Sequence, residues 1–584
     1  MNLFPMTQTA ALVGQLIDTK SATVPIIEMT SFKPEYNFDV HSSRLDRCTP
    51  EEEGVPSALV SEFLNKIKSD KTLNMHSVTI ARNGRILCEA SFGAQRLDIW
   101  KHAFSASKSV TSLAIGMLID DRLLTLDEKV VSIFKEEANA VIKIKLKDLC
   151  VEDLLTMRST VLFSEVDSMT DDDWVKAFLS SPTKGGIGES FRYNSLNTYM
   201  LSAIVTKKTG KNMSEFLDER LFSVLGIKDY YWEKCPRGID KGGWGLYIRP
   251  EDFVKIATLV VNGGKYDDKQ IVSEEYINMA TMKHVDIGWE SELFDYGYQI
   301  WVGKKTNTFL FNGMLGQNVM CFKDSGIVVV SNAGNSDMFQ QSSLFEYMED
   351  YFNRDFSDKL EASPKAHKKL CEQIASYSLY KKEKPRFRKL RGGLKKNMAL
   401  YESLVGKEYL LPEGDGKAVG LLPLVIQSVE NCYAKGLVGI SFDKNELGEP
   451  ELIYRENEAD IHVLLGFDTP KVFNVKYRNE NFIISSKAKF AKNEDDETVL
   501  VIRLDFMETP SSRIIKIYFQ DDGTLLLEQT EAPGADFMIE LTDMVVTQFI
   551  DKPIVGALFE KFGSEFIEYK IEKVFNTKLI LTQK

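Results

Sequence analysis

A serine and a lysine stand three positions apart where a long apolar stretch begins, in the segment F-S-A-S-K-S-V that starts at Phe104. Residues three apart on a helix share a face, so the Ser105 hydroxyl and the Lys108 amine can meet in one pocket. A serine beside a lysine that activates it is the arrangement of serine acyl-transfer enzymes. The pair therefore predicts a nucleophile and a base at the start of a helix.

The Ser-x-x-Lys spacing is weak evidence on its own, because serine and lysine are common. It recurs in charged, loop-like or strand-like surroundings at Ser132, Ser181, Ser378, Ser441 and Ser486. The Ser105 copy alone opens a long apolar face with the helical period, from Val110 to Leu118. This context favours Ser105 as the nucleophile and predicts an amphipathic helix over residues 107–121.

Composition limits the classes of function. The 584 residues are 43% hydrophobic and 27% charged, as in an ordinary globular protein, and the length predicts roughly two to four domains. The net charge of -13 disfavours polyanions, so nucleic acid is not an expected partner. No apolar run approaches the roughly 20 residues that cross a bilayer, and the N-terminus lacks a signal-peptide pattern. We expect neither membrane insertion nor export.

Cysteine and histidine spacing adds to this picture. Seven scattered cysteines form no C-x-x-C pair, which is typical of buried thiols in a reducing compartment and predicts a cytoplasmic protein. Six histidines show no paired metal-ligand spacing, and the glycines at Gly242, Gly243 and Gly245 lack phosphate-loop spacing. We therefore expect a small-molecule substrate, no metal and no cofactor; the oligomeric state is left open.

The order of predicted elements indicates an α/β (α+β) fold. Asn83-Gly84 predicts a tight hairpin between strands at residues 76–81 and 85–90. A helix with its first turn at Thr49 precedes this hairpin, and later helices are predicted at residues 146–157, 172–179, 198–209, 213–225 and 341–352. Further strands are predicted at residues 298–301, 308–311, 318–322 and 326–331. A sheet split in sequence around a helical block predicts an antiparallel sheet flanked by helices, with an inserted α domain.

Patterning changes near residue 380. Nine basic residues between Lys381 and Lys396, with Pro385 among them, predict a linker. Strands are then predicted at residues 434–442, 461–467, 472–477, 482–485, 498–506, 514–519 and 524–529, as in an antiparallel β barrel or sandwich. The predicted organisation is an arm (1–45), a first domain (46–378), a basic linker (379–398) and a β-rich domain (399–584).

Several motifs in the first domain resemble those of the serine beta-lactamase and penicillin-binding-protein superfamily, in the same order. Besides the Ser105 segment they are L-L-T-M-R-S from Leu154, F-R-Y-N-S from Phe191 and G-M-L-G-Q from Gly313. The likeness spans about residues 49–352 and is greatest to the class C-like esterase and amidase branch. It implies a beta-lactamase-like fold for this domain and a lipocalin-like β domain after it.

The resemblance also implies a set of site residues. Ser105 corresponds to the acylated serine, Lys108 to the motif lysine, and Tyr193 and Ser195 to the second motif. The backbone N–H groups of Ser105 and Met314 would form the oxyanion hole. The substrate-binding strand segment and its continuation correspond to Phe311, Asn312, Gly313 and Gln317.

Phe311 departs from the superfamily pattern. Relatives that process penicillins or cell-wall peptides place a cation there to hold a substrate carboxylate, and phenylalanine cannot do this. We expect Phe311 to line the cleft and to favour neutral esters or small amides. Arg158, Arg192 and Arg249 lie near the motifs in sequence and are the candidates for a substitute cation.

The proton acceptor remains open at this stage. A lysine that is neutral at pH 7 must lose roughly three to four pKa units, a differential of about 5 kcal/mol. Alternatively, a charged Lys108 assists Tyr193 as a phenolate base. A slow or non-catalytic binding or regulatory protein is the rival function, and a D-amino-acid peptidase or beta-lactamase is a second alternative. The presence of Ser105, Lys108 and Tyr193 together favours a serine hydrolase.

Overall fold

The structure is a computed structural model. Its chain divides into two compact units. The first comprises Ile27–Ser91 and Leu97–Ile374, and the second contains Phe92–Arg96 and Ala375–Lys584. The described residues are Ile27, Met29, 31–169, 171–287, 291–336, 342–380, 392–412, 420–429, Cys432, Ala434, 436–457, 459–477, 479–540 and 564–584.

The first unit is built on a seven-stranded antiparallel sheet. The strands of this unit are β1 (Met75–Arg82), β2 (Arg85–Ser91), β3 (Lys101–His102), β4 (Tyr230–Trp232), β5 (Leu246–Ile248), β6 (Lys265–Tyr266), β7 (Lys269–Gln270), β8 (Phe294–Tyr296), β9 (Trp301–Gly303), β10 (Thr308–Gly313), β11 (Gln317–Phe322) and β12 (Ile327–Ala333). The main sheet has the order β2-β1-β12-β11-β10-β9-β8, and β3, β5 and β4 form a small sheet beside the site. The predicted split sheet is therefore confirmed.

Helices fill the interval between β2 and β8 and also flank the sheet. Up to residue 377 they are α1 (Ser57–Ser69), α2 (Ser107–Asp120), α3 (Val130–Ile133), α4 (Ala140–Lys145), α5 (Val151–Leu155), α6 (Glu165–Ser168), α7 (Trp174–Ser180), α8 (Ser195–Thr209), α9 (Met213–Leu217), α10 (Pro250–Val261), α11 (Glu274–Ala280), α12 (Ser343–Phe352) and α13 (Pro364–Tyr377). The helical block predicted between the strands is present.

The hairpin of β1 and β2 forms for the reason the sequence indicates. Asn83 and Gly84 have φ values of 51° and 77°, the left-handed conformation that a two-residue hairpin turn requires. Every residue of β1 is buried, because the strand lies inside the sheet between β2 and β12. This hairpin gives the sheet one of its edges.

Helix α2 differs from the predicted amphipathic helix. All residues from Ser107 to Leu118 are buried, so the helix has no exposed polar face until its last turn. Its buried hydroxyls are satisfied inside the fold: Ser109 Oγ donates to the Gln299 carbonyl at 2.8 Å and Thr111 Oγ1 to the Gly242 carbonyl at 2.9 Å. These serine and threonine side chains therefore tie a central helix to its neighbours.

Other element predictions need correction. Of the strand predicted at residues 298–301, only Trp301 is in a strand, β9; residues 298–300 form the connection from β8 to β9, where Gln299 adopts a φ of 60°. Its side-chain amide donates to the carbonyls of Leu154 and Leu155 at 3.0 and 2.9 Å, which replaces strand pairing. The helices predicted at residues 146–157 and 213–225 are shorter, as α5 and α9. Helix α5 begins only at Val151, and α9 passes into a π-helix at Asp218–Phe222.

The predicted arm contributes to the first unit where it is described. Ser42 Oγ donates to Asp252 Oδ2 at 2.8 Å, and Tyr36 donates to Asp229 Oδ2 at 2.7 Å. Both acceptors are buried in the first unit. Residues 31–45 are thus part of its packing.

The second unit is a ten-stranded antiparallel sheet. Its strands are β13 (Glu408–Leu410), β14 (Leu437–Lys444), β15 (Pro450–Glu456), β16 (Ala459–Leu464), β17 (Lys471–Tyr477), β18 (Glu480–Lys492), β19 (Thr498–Phe506), β20 (Ser512–Phe519), β21 (Leu525–Ala532) and β22 (Thr577–Gln583). The order runs from β16 through β15, β14, β13, β22, β21, β20, β19 and β18 to β17, so the two edge strands are consecutive in the chain. The sheet curls into a nearly closed barrel around an apolar core, which confirms the predicted β domain.

The described residues of this unit also include helices that were not predicted, among them α14 (Gly392–Glu402), α15 (Leu424–Val429) and α16 (Ser564–Phe575). Helix α14 occupies the end of the predicted linker, while residues 381–391, its most basic part, lie outside the described residues. Within the described part of the chain, no helix combines the length and the apolar character needed to span a bilayer.

Candidate active site

Ser105 lies in a tight turn directly before α2. The turn is a 3₁₀ segment, Phe104–Ala106, and Phe104 has a φ of 47°, a strained conformation for a residue with a large side chain. Ser107 Oγ donates to the Phe104 carbonyl at 2.6 Å and so holds the turn. Ser105 is partly exposed although its neighbours on both sides are buried, so its hydroxyl is presented at the surface of the core.

Lys108 joins three parts of the site. Its Nζ lies 2.9 Å from Ser105 Oγ, 2.8 Å from Ser195 Oγ and 2.8 Å from the Gly243 carbonyl oxygen. The side chain is only 1% exposed. A neutral amine can donate its two N–H bonds to Ser195 and Gly243 and direct its lone pair at the Ser105 hydroxyl. The geometry matches a base poised beside a nucleophile.

Burial changes the proton affinity of Lys108. Loss of solvation lowers its pKa to about 7, and the carboxylate of Glu165 acts in the opposite direction. The resulting value lies near neutrality, where a general base is most effective.

Tyr193 and Ser195 come from the approach to α8. Asn194 caps this helix by accepting the Leu196 N–H at 2.9 Å, and its own amide donates to the Phe163 carbonyl at 2.8 Å. These contacts fix the residues on either side of Asn194. Lys108 Nζ lies 4.9 Å from the centre of the Tyr193 ring, and the Ser105 side chain acts on the pKa of the Tyr193 phenol. The second predicted motif therefore meets the first.

The phenol of Tyr193 does not ionise easily here. Burial raises its pKa well above the usual range, the Ser105 side chain offsets this in part, and the charge of Glu165 raises it further. Its ring stacks on Trp301 with the centroids 5.9 Å apart, and Phe191 and Tyr296 complete an aromatic cluster. This environment suits a neutral hydrogen-bonding phenol more than a phenolate.

Two contributors to the site were missed by sequence reasoning. One is the Gly243 carbonyl, from a glycine turn that the sequence indicates only as a turn beside a site wall. A Cβ at Gly243 would lie 2.6 Å from the Ser195 carbonyl oxygen, so only glycine allows this close approach. The other is Glu165, whose Oε1 accepts the Ser195 N–H at 3.0 Å. Its only sequence signal is a carboxylate in a polar segment.

The end of β10 lies against the nucleophile turn. A Cβ at Gly313 would come within 2.4 Å of the Ala103 carbonyl oxygen, so the strand touches the backbone just before Ser105. Met314 then begins a 3₁₀ turn, Met314–Gly316. The structure thus brings together the two segments that carry the predicted oxyanion-hole residues, Ser105 and Met314.

Phe311 requires a correction. Its side chain has no exposed surface and belongs to the same apolar cluster as Val110 of α2, so it forms part of the core beneath the site and not an open wall of the cleft. Asn312 Nδ2 donates to Asn318 Oδ1 at 2.8 Å, and Gln317 Nε2 donates to the Ala333 carbonyl at 2.6 Å. Both amides are buried, and these contacts brace β10, β11 and β12.

The candidate substitute cations are placed differently from one another. Arg249 is buried and pairs with Asp252 and Asp229, at 3.3 and 3.6 Å, which commits its charge to the packing of the first unit. Arg158 Nε donates to Thr156 Oγ1 at 2.8 Å. Arg192 has its backbone N–H bonded to the Met157 carbonyl at 2.8 Å.

A second buried cluster of charged groups lies behind the glycine turn. Lys241 pairs with Glu233, and His102 Nε2 lies 3.6 Å from the other oxygen of that carboxylate. Burial alone would raise the pKa of Glu233, but Lys241 and His102 more than offset it and lower the value. Burial lowers the pKa of His102 to about 4. In the part of the chain that the structure describes, no group of three or more His, Cys, Asp or Glu side chains could hold a metal ion.

Comparison with known families agrees with this architecture. Residues 70–341 match the Beta-lactamase family model. The search of curated proteins found no match.

Three solved structures illustrate the similarity of this chain to known folds. A penicillin-binding protein homolog from Caulobacter crescentus is 17% identical, with a TM-score of 0.41 and coverage of 50% of this chain and 93% of that one. A family VIII carboxylesterase is 17% identical, with a TM-score of 0.43 and coverage of 54% and 100%. EstA from Arthrobacter nitroguajacolicus Rue61a is 13% identical, with a TM-score of 0.41 and coverage of 58% and 100%.

Proposed function

We propose that this protein is a serine hydrolase that cleaves esters or small amides through an acyl-enzyme on Ser105. The observation that carries the proposal is the buried Lys108 amine 2.9 Å from the Ser105 hydroxyl, with a pKa of about 7. A neutral amine at this distance can accept the hydroxyl proton during attack. The match to the Beta-lactamase family model supports serine hydrolase chemistry in general terms.

In the proposed reaction, Ser105 Oγ forms a bond to the carbonyl carbon of the substrate while its proton passes to Lys108. The carbonyl oxygen becomes an oxyanion, for which the N–H groups of Ser105 and Met314 are the proposed donors. The Lys108 ammonium then returns the proton to the leaving alcohol or amine as the carbon–heteroatom bond breaks. Water reverses these steps on the acyl-enzyme and releases the acid.

Lys108 is favoured over Tyr193 as the proton acceptor. The lysine is shifted toward its neutral, basic form, whereas the phenol is shifted away from phenolate. Tyr193 is proposed to act as a neutral phenol that orients the Ser105 nucleophile, while Lys108 carries the proton. The aromatic cluster around Tyr193 favours neutral substrates.

The test is labelling by a fluorophosphonate probe together with a screen of p-nitrophenyl esters and D-amino-acid amides. We expect the wild type to be labelled and to cleave short esters, and Ser105→Ala to lose several orders of magnitude in rate while remaining folded. Ser441→Ala is the matched control, because it removes the serine of another Ser-x-x-Lys sequence. Wild-type activity in purified Ser105→Ala would contradict the proposal. The predicted cytoplasmic location is a separate proposal that this experiment does not address.

A further inference from the structure

Glu165 occupies a special place beside the site. It opens the short helix α6, and its Oε1 accepts the N–H of Ser195 at 3.0 Å in the first turn of α8. The other end of Ser195, its Oγ, lies 2.8 Å from Lys108 Nζ. Two contacts in series therefore connect the Glu165 carboxylate to the Lys108 amine through a single serine.

We propose that Glu165 is a positioning residue that fixes Ser195 for its contact with Lys108 and whose charge controls how readily Lys108 holds a proton. This inference rests on the proposed serine hydrolase function. It adds a residue that neither of the two sequence motifs contains.

The location favours a carboxylate. The first turn of α8 has backbone N–H groups without helical partners, and the positive end of the helix dipole stabilises negative charge there. Glu165 satisfies one of these donors directly. The contact is also structural, so the test must separate the hydrogen bond from the charge.

The charge acts on both proton-carrying groups of the site. At Lys108 burial lowers the pKa and Glu165 opposes it; at Tyr193 burial raises the pKa and Glu165 adds to it. Both effects favour one assignment, in which Lys108 exchanges the proton near neutral pH and Tyr193 stays a phenol.

Other charged or titratable groups near Lys108 are directed elsewhere or are uncharged. Tyr193, from the approach to α8, is a buried phenol. Behind the Gly243 turn, Lys241 and His102 are grouped around Glu233. Among the described residues, Glu165 is the charged group with an effect on Lys108. Its removal should therefore be visible in the titration of Lys108.

The consequence for the reaction concerns the ammonium intermediate. When Ser105 attacks, Lys108 gains a proton and becomes a buried cation, which is costly without a nearby anion. The Glu165 carboxylate stabilises that cation while the proton waits for the leaving group. A site without this charge would have a weaker base and a lower pH threshold for activity.

The experiment compares Glu165→Gln, Glu165→Ala and the matched control Glu152→Gln. Glu152 lies on α5 and accepts a hydrogen bond from the Tyr298 hydroxyl, so the control also removes one carboxylate charge. The readout is the pH dependence of kcat/KM for p-nitrophenyl butyrate. Glutamine can still accept the Ser195 N–H, so Glu165→Gln should move the acid limb to lower pH by about one unit while keeping kcat within about tenfold. Glu165→Ala should move the same limb and lose more in kcat, and Glu152→Gln should leave the limb in place.

An acid limb unmoved in Glu165→Gln, or moved equally in Glu152→Gln, would overturn the proposal. If the wild type hydrolyses no ester or amide, the proposed function fails, and the role of Glu165 is then decided by direct titration. Carbon-13 NMR of the lysine Cε, with the Lys108 signal assigned by its loss in Lys108→Ala, should give a lower pKa in Glu165→Gln than in wild type. Equal values in the two proteins would overturn the proposal independently of turnover.

Discussion

Lys108 and Lys255 are buried to nearly the same extent in the first unit, at 1% and 0% exposure, yet their partners differ. Lys255 Nζ lies 2.7 Å from Asp252 Oδ1 and donates to the Ser43 carbonyl at 2.7 Å, so it forms an ion pair that holds the described part of the N-terminal arm. Lys108 instead contacts two hydroxyls and a carbonyl. Both lysines are buried. They differ because Lys255 is bonded directly to a carboxylate, whereas Lys108, the proposed base, is not.

The largest expected difference between the two lysines is in activity. Lys108→Met should lower kcat for ester hydrolysis by at least about a hundredfold, the usual scale for a positioned general base. Lys255→Met should leave kcat per folded molecule unchanged, because its ion pair does not reach the site. Steady-state kinetics on both purified variants, normalised to the folded fraction, measures this. A comparable loss of kcat in both would remove the distinction.

Tyr193 tests whether the reactive lysine works alone. Tyr193→Phe should cost about a hundredfold in kcat, since it removes the hydroxyl proposed to orient Ser105. The loss should be less than additive with Lys108→Ala, because both groups serve one proton transfer. A double-mutant cycle on kcat gives the coupling, and strictly additive losses would argue for separate roles.

Stability should change in opposite directions at the two positions. The pKa of Lys108 falls to about 7 from an ordinary value of 10.5, so the unfolded chain binds more protons between these pH values and the buried amine destabilises the fold most at and below pH 7. Lys108→Met should therefore raise the free energy of unfolding near pH 7, on the order of a few kcal/mol, with the gain fading toward pH 10.5. Lys255→Met should lower it by about 3 kcal/mol because Asp252 loses its closest partner.

Urea unfolding at pH 7 and at pH 10 measures both changes. A matched charge-preserving control is Lys255→Arg, which keeps a cation near Asp252. Loss of stability in Lys108→Met at pH 7 would mean that the amine is held by favourable contacts that outweigh its desolvation.

Substrate choice should show the smallest of these effects. The resemblance assigns a substrate-binding cation to the position of Phe311, which here is apolar and buried beneath the site, so wild-type kcat/KM for nitrocefin should be at least about tenfold below that for p-nitrophenyl butyrate. Phe311→Lys should destabilise the fold, since it puts an unpaired charge in the core. Efficient nitrocefin turnover by the wild type would show that another residue holds the carboxylate.

Local patterns were enough to predict much of the architecture. The Asn83-Gly84 turn, strands β10 to β12 and most strands of the barrel follow from turn residues and alternation, and Ser105, Lys108, Tyr193 and Ser195 were identified through their motifs. Gly243 and Glu165 could not be found this way, because they reach the site through contacts 135 and 30 residues apart in sequence. The burial of Phe311 likewise depends on the packing of α2 against the sheet, which alternation along one strand does not specify.

Gly243 and Gly313 pack closely against the backbone of the candidate site. We expect these two positions to tolerate no substitution, although neither carries a side chain. A methyl group on Gly243 would meet the Ser195 backbone at 2.6 Å, and one on Gly313 would meet the Ala103 backbone at 2.4 Å. In a saturation library selected for hydrolysis, these positions should be depleted of every other residue almost as completely as Ser105. A footprint drawn from such a library would thus mark the backbone that shapes the cleft, although neither glycine has a side chain that could take part in the reaction.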